Sequence, residues 1–355
     1  MFMMSLLVVE LGPLVRGQPQ VPCYFIFGDS IFDNGNNNGL LTMAKVNFPP
    51  YGIDFPDGPT GRFTNGRNMA DIIAEKLGFK NYIPPFATAS PQEVLTGVNY
   101  GSGGAGIRNE TGKHLGGRIS LNEQLLHHQV IISRIALLLG SKDLAREHLS
   151  KCIYTIGMGN NDYINNYLMP QFYPTSHLYT PQQYAAVLIH QYFKQIKTLY
   201  NQGARKVALF GIGLIGCIPA EVTMYGTNGS ACVDWINNYV QLFNDKLVSL
   251  VDELNNDLTD AKFIYINSTG ISSGDPSAIG LTVANAPCCD VSTNYGKGQC
   301  IPQRVPCSDR STYVFWDAFH PTEIVNVVSA TRAYSALSPT DAYPFDIRGL
   351  AQLSL

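Results

Sequence analysis

Tyr24-Phe25-Ile26-Phe27-Gly28-Asp29-Ser30 is an apolar run that stops on a glycine, a carboxylate and a serine. A short apolar stretch closed by turn residues reads as a buried strand, which puts Ser30 at the strand's C-terminal end. Four comparable runs follow: Val98 to Tyr100, Cys152 to Ile156, Val207 to Ile212, and Phe263 to Ile266. Longer helical patterns separate them, and that alternation predicts an α/β fold with a parallel sheet covered on both faces. Open sheets of this kind bind ligands beyond the carboxyl ends of their strands. Ser30 is therefore a candidate functional residue, although a serine after a strand also serves as a turn or cap residue.

The helices carry their own punctuation. Thr180-Pro181-Gln182-Gln183 has the form of a capping box with proline in the first turn, followed by Val187, Leu188, Tyr192, Ile196 and Leu199 and closed by Gly203. Ile236, Tyr239, Val240, Phe243, Leu247, Leu250, Val251 and Leu254 form a second stripe of helical period. Asn34 to Asn65, rich in Pro and Gly and without periodicity, is expected to be a long loop beside the site. No linker or repeat interrupts the pattern, so residues 21–340 are expected to form one domain, with a leader or disordered segment at 1–20 and a tail at 341–355; a split near residue 205 is the alternative.

Composition narrows the function. The 355 residues are 45% hydrophobic, enough for a large core. A net charge of -3 with only 24 Lys plus Arg leaves no basic field for a phosphate backbone, so nucleic acid is not an expected partner. Five of the eight cysteines, Cys232, Cys288, Cys289, Cys300 and Cys307, fall after residue 230 with no C-x-x-C pair, which favours disulfides over zinc. Asn109, Asn228 and Asn267 begin glycosylation sequons. Met3 to Leu14 is apolar but lacks a basic start and contains Glu10; it is expected to be a secretory leader, cut near Gly17. No later segment reaches the roughly 18 uninterrupted apolar residues of a membrane span, so no transmembrane anchor is expected.

Serine-dependent ester hydrolysis needs a hydroxyl, a base beside it, a carboxylate to orient the base, and donors for the oxyanion. Trp316-Asp317-Ala318-Phe319-His320-Pro321-Thr322-Glu323 puts a carboxylate three residues before a histidine. Pro321 suits the first turn of a helix through Ile324, Val325, Val327 and Val328, which would set His320 at that helix's positive end and keep its ring a free base. The alternative is that Asp317 only caps the helix. Gly157 to Asp162 follows the third run and offers the Asn161 amide as an oxyanion donor, unless it is simply an Asn-rich turn. Asn99 to Gly106 follows the second run and offers backbone N–H groups. It spells G-x-G-x-x-G, but Ile107 to Gly117 cannot open a helix behind it, so no dinucleotide is expected. Asp33 to Gly39 lacks the spacing of a Ca²⁺ loop, and His127-His128 has no partner ligands, so no metal is expected.

In this order, Phe27-Gly28-Asp29-Ser30-Ile31, Asp33-Asn34-Gly35-Asn36-Asn37-Asn38, Pro49-Pro50-Tyr51-Gly52, Gly61-Arg62-Phe63-Thr64-Asn65-Gly66-Arg67 and Tyr313 to Glu323 resemble the GDSL subfamily of the SGNH hydrolases, and its plant esterase/lipase branch in particular. The likeness runs from about Tyr24 to Ala336. It implies a three-layer α/β/α sandwich, flavodoxin-like, with a five-stranded parallel sheet in the order 2-1-3-4-5. It further implies that Ser30 attacks, that Asp317 and His320 activate it, and that Ser30, Gly103 and Asn161 form the oxyanion hole. Ile31 and Gly101 depart from the usual motif; Gly101 could loosen the turn that carries Gly103, leaving Gly104 as an alternative donor. No G-x-S-x-G elbow is present, which excludes the ordinary α/β-hydrolase template.

The expected function is a secreted serine carboxylester hydrolase that needs no cofactor and acts on lipid, cell-wall or small-molecule esters. An acyltransferase would use the same residues, and a binding protein could keep the cleft without the chemistry.

Overall fold

Residues 17–293 and 298–355 are described by the structure, a computed structural model. The expected leader falls on residues 1–16, outside the described residues.

Tyr24–Gly28 (β1), Ile153–Gly157 (β2), Lys206–Phe210 (β3) and Lys262–Ile266 (β4) lie side by side in parallel register. β1, β2 and β3 are buried along their whole length, as continuous apolar runs must be when helices cover both faces of a sheet. Alternate side chains divide between two cores. Phe25, Phe27, Tyr154, Val207 and Leu209 enter one; Tyr24, Ile26, Ile153, Ala208 and Phe210 enter the other.

Met69–Lys76 (α1) packs on the second core. Leu121–Leu139 (α2), Lys142–Ser150 (α3), Pro181–Asn201 (α4) and Asp234–Asp257 (α5) cover the first. Glu323–Tyr334 (α6) and Ile347–Gln352 (α7) return to the second, completing a three-layer α/β/α fold. The Thr180 and Gln183 capping box is present at the start of α4, and Ser120 with Glu123 forms another on α2. Each N-cap contributes about 1 kcal/mol.

The run Val98 to Tyr100 is an edge rather than a regular strand. Ile26 N–H donates to the Val98 carbonyl at 3.1 Å, and Tyr100 N–H donates to the Ile26 carbonyl at 2.7 Å. It lies beside β1 on the side away from β2, so the expected order 2-1-3-4-5 is met with this edge as its second member.

Residues 341–355 do not form a tail. Ala342–Tyr343 (β7) pairs antiparallel with β4, extending the sheet, and α7 buries Ile347 and Leu350 in the second core. The Arg332 guanidinium pairs with Asp341, whose carboxylate also accepts the Leu337 and Ser338 N–H groups. Ordering this segment therefore rests on its pairing with β4 and its packing in the second core, with local bonds to Asp341 fixing the turn before it.

Between β4 and α6, Val283–Pro287 (β5) and Tyr313–Phe315 (β6) form a small second sheet. Disulfides Cys288–Cys307 and Cys289–Cys300 staple the excursion that joins them. These cysteines pack with Ala44, Val46, Tyr51, Phe63 and Trp316 in a third apolar cluster. The long loop after β1 and the segment before α6 are thus held against each other above the strand ends.

Candidate active site

Ser30 follows β1 directly. Gly28 and Gly157 are register partners at the ends of β1 and β2, and the Phe32 ring lies across both. A Cβ at Gly157 would come within 2.0 Å of that ring, so the turn needs glycine there. The Phe32 and Asp33 N–H groups both donate to the Asp29 carbonyl, and Ile31 N–H donates to the Asp29 side chain at 3.0 Å, closing the turn around Ser30.

His320 meets Ser30 across the site. Its Nε2 lies 2.7 Å from Ser30 Oγ, and its Nδ1 lies 2.9 Å from both carboxylate oxygens of Asp317. With the ring proton on Nδ1, directed at Asp317, Nε2 accepts from the serine hydroxyl. Asp317 is wholly buried, and its carboxylate accepts the Phe319 and His320 N–H groups at 2.8 Å. The Tyr51 hydroxyl donates to the remaining side of the same carboxylate at 2.7 Å. Burial, and then the adjacent Asp317 charge, push the Tyr51 phenol well above its ordinary pKa, so it stays a donor. The Phe63 ring covers His320 at 4.9 Å between centroids.

His320 is not at a helix N-terminus. α6 starts at Glu323 with Thr322 as N-cap, so Pro321 precedes the helix and His320 stands two residues before the cap. Trp316 N–H donates to the His320 carbonyl, and Thr322 N–H to the Val314 carbonyl. Residues 320–322 are therefore held extended beside β6, and Asp317 caps its own turn.

The other expected donors sit on strand-end loops that are cross-linked to the serine turn. Asn160 Nδ2 donates to the Asp29 carboxylate at 2.8 Å, and Ser102 N–H donates to the Gly28 carbonyl at 3.0 Å. Asn161 gives one N–H to the Ala105 carbonyl at 3.0 Å, while its Oδ1 accepts from Asn165 at 2.6 Å. That pair of bonds sets the amide's orientation and leaves its second N–H without an acceptor among the described residues. Ser30 N–H is free in the same sense. Gly103 differs: its N–H donates to Asp33 Oδ2 at 3.0 Å, whereas Gly104, at φ +79°, donates to none of the described acceptors.

Asp33 and Asp162 hold these loops from below. The Asp33 carboxylate also accepts the Gly35 and Asn36 N–H groups, and Asp162 accepts from Ile107 N–H, Arg108 N–H and the Thr111 hydroxyl. Burial pushes each carboxyl up to about 6, against the opposing pull of those donors. Tyr51 and Phe63 lie in an aperiodic loop, where a sequence offers no local signal beyond the resemblance, and Asp33 reads there only as the first residue of a rejected Ca²⁺ loop, not as a brace for the oxyanion-side loops.

A family model described as GDSL-like Lipase/Acylhydrolase matches residues 24–331. The chain belongs to the GDSL esterase/lipase family. It is 54% identical over 341 residues to the Arabidopsis thaliana protein GDSL esterase/lipase At1g29670, covering 95% of this chain and 93% of that protein. GDSL esterase/lipase At1g29660, from the same plant, is 51% identical over 98% of this chain and 96% of its own length. GDSL esterase/lipase At5g45670 is 48% identical over 99% and 98%. With relatives this similar over nearly their full length, this GDSL esterase/lipase is an ester hydrolase.

Two features of this family member lie away from the serine. Cys23, His148 and Cys152 form a group that could offer three metal ligands, but the two sulfurs are joined in a disulfide. No helix among the described residues is long and apolar enough to cross a membrane.

Proposed function

We propose that this GDSL esterase/lipase is a secreted serine carboxylester hydrolase working through an acyl-enzyme on Ser30. The observation that carries the reading is the unbroken chain from Ser30 Oγ to His320 Nε2 at 2.7 Å and from His320 Nδ1 to Asp317 at 2.9 Å. In the first step Ser30 Oγ bonds to the ester carbonyl carbon as its proton passes to His320 Nε2. The C–O bond to the alcohol then breaks, and His320 returns the proton to the leaving oxygen. Water, deprotonated by His320, splits the acyl-enzyme and releases the acid. Asp317 stabilises the imidazolium in both halves, and the chemistry draws only on these side chains and water.

Ser30 N–H and the second Asn161 N–H supply the oxyanion donors. Gly103 joins them by turning its N–H from Asp33 or sharing it; Gly104 is the alternative. For the substrate, we favour an ester with an apolar acyl part. A cavity of about 350 Å³, with Met43, Phe48, Ile301 and Pro302 beside the polar Lys45 and Gln299 in its walls, borders Cys300, whose N–H reaches Tyr51. Secretion is supported by the pairing of all eight cysteines, which suits an oxidising compartment. Asn109 and Asn228 are exposed and suit glycans, whereas Asn267 is half-buried with its Nδ2 donating to the Thr340 carbonyl.

Incubating the protein with esters of graded acyl length, with and without an added alcohol, tests the reading by product analysis. Free acid is expected to dominate, with longer acyl chains preferred over acetyl. Predominant transfer to the alcohol would make the protein an acyltransferase, and retention of the ester without turnover would make it a binding protein.

A further inference from the structure

Among the described residues, Tyr51 is the one side chain outside the Asp317–His320 segment that hydrogen-bonds the Asp317 carboxylate, and it lies 266 residues away in sequence. It is almost wholly buried, with Phe48 edge-on at 5.5 Å and Trp316 edge-on at 6.4 Å. Its hydroxyl does two things at once. It donates to Asp317 Oδ2 at 2.7 Å and accepts the Cys300 N–H at 3.1 Å. Cys300 is disulfide-bonded to Cys289, and the Cys289 N–H donates to the carbonyl of Trp316, the residue before Asp317. One covalent link therefore ties both ends of the arrangement, so Tyr51 and Asp317 are held in a single frame.

We propose that Tyr51 is a positioning residue for the serine–histidine chemistry, acting through Asp317 and locked in place by the Cys289–Cys300 disulfide. The inference rests on the proposed roles of Ser30, His320 and Asp317. Its physical basis is the carboxylate's set of acceptor sites. Two backbone N–H groups and the Tyr51 hydroxyl occupy all but the share directed at His320, so the carboxylate cannot turn away from the ring. The same donor withdraws charge from Asp317. Asp317 then stabilises the imidazolium enough to orient it without holding the proton so firmly that its return to the leaving alcohol is slowed. Among the described residues two ionisable carboxyls act on His320: Asp317, and Asp29, which burial pushes above its ordinary pKa against the pull of Asn160, Ile31 N–H and His320, and to which Tyr51 makes no hydrogen bond.

The test is Tyr51→Phe, which keeps the ring and removes both hydrogen bonds. kcat is expected to fall roughly 10-fold with KM nearly unchanged, the effect of losing one bond to a charged group. With its charge less well compensated, Asp317 holds the imidazolium more tightly. The acidic limb of the kcat/KM profile is therefore expected to move to higher pH, by about 0.5 to 1. In an Asp317→Asn background the same substitution is expected to add almost nothing, because the group it acts through is gone. A general loosening of the fold would instead leave the limb in place and cost the same factor in both backgrounds, and that result overturns the proposal. If Tyr51→Phe does not fold, Tyr51→Leu is read in the same two ways. Ser30→Ala is run alongside. Turnover surviving in Ser30→Ala removes the proposed mechanism itself. A dead Ser30→Ala with an unmoved Tyr51→Phe profile removes only the role of Tyr51.

Discussion

On one side of Ser30, Asp317 accepts from two backbone N–H groups, the Tyr51 hydroxyl and His320, and His320 uses both ring nitrogens. On the other side, Ser30 N–H and one Asn161 N–H meet no acceptor among the described residues, and Gly103 N–H is lent to Asp33. Under the proposed mechanism, the difference follows from when each group is needed. The base must be oriented before substrate arrives, so its hydrogen-bonding capacity is spent inside the protein. The oxyanion donors meet their charge only as it develops, and donors left open in a fixed geometry need no rearrangement at that moment.

Asn161→Ala puts the open side under the greatest strain. It is expected to lower kcat by about 10² to 10³, with KM little changed, the usual cost of one lost oxyanion donor. Active-site titration sets the folded, competent fraction against which kcat is read. If kcat per titrated site is normal, Asn161 is only a turn residue and the contrast between the two sides collapses.

A smaller effect sharpens the saturated side. Behind it lies the helix Pro219–Tyr225, where Ala220 N–H donates to the Ala318 carbonyl, between Asp317 and His320. On that helix Glu221 is buried, and its Oε2 has no partner among the described residues. Burial pushes its carboxyl up to about 7. Because the folded value lies above the unfolded one, its contribution to stability is complete below about pH 4.5 and is lost as pH rises through about 7. Glu221→Gln is therefore expected to raise Tm at pH 8, by an amount equivalent to about 1–3 kcal/mol, and to change it little at pH 5. Equal shifts at both pH values would mean that the carboxyl is paired or hydrated.

The legible parts of the molecule were those written locally. β1 to β4 are runs of apolar residues, and α4 announces itself through Thr180, Pro181 and Gln183. Asp317 and His320 stand three residues apart, so one segment contained both. What was not legible depends on distant partners. Tyr51 acts across 266 residues from a loop without periodicity. β7 has two residues and α7 six, too few for a periodic signal, and their burial depends on surfaces supplied by β4 and the second core. Pro321 before Thr322 fitted a first-turn proline equally well; only the bonds to Val314 and Trp316 decide that the chain is extended there. The engagement of Gly103 by Asp33 belongs to the same class, since 70 residues separate them.

The central claim, that Ser30 is the nucleophile of an ester hydrolase, is met most directly by treating the wild-type protein and Ser30→Ala with a serine-directed alkyl phosphonate. Intact mass is measured, the adduct is mapped by peptide sequencing, and turnover of a simple ester is followed in both. One adduct per wild-type chain is expected, on Ser30, with labelling and turnover both absent from a folded Ser30→Ala. A stoichiometric adduct on another serine, or turnover by Ser30→Ala, would contradict it.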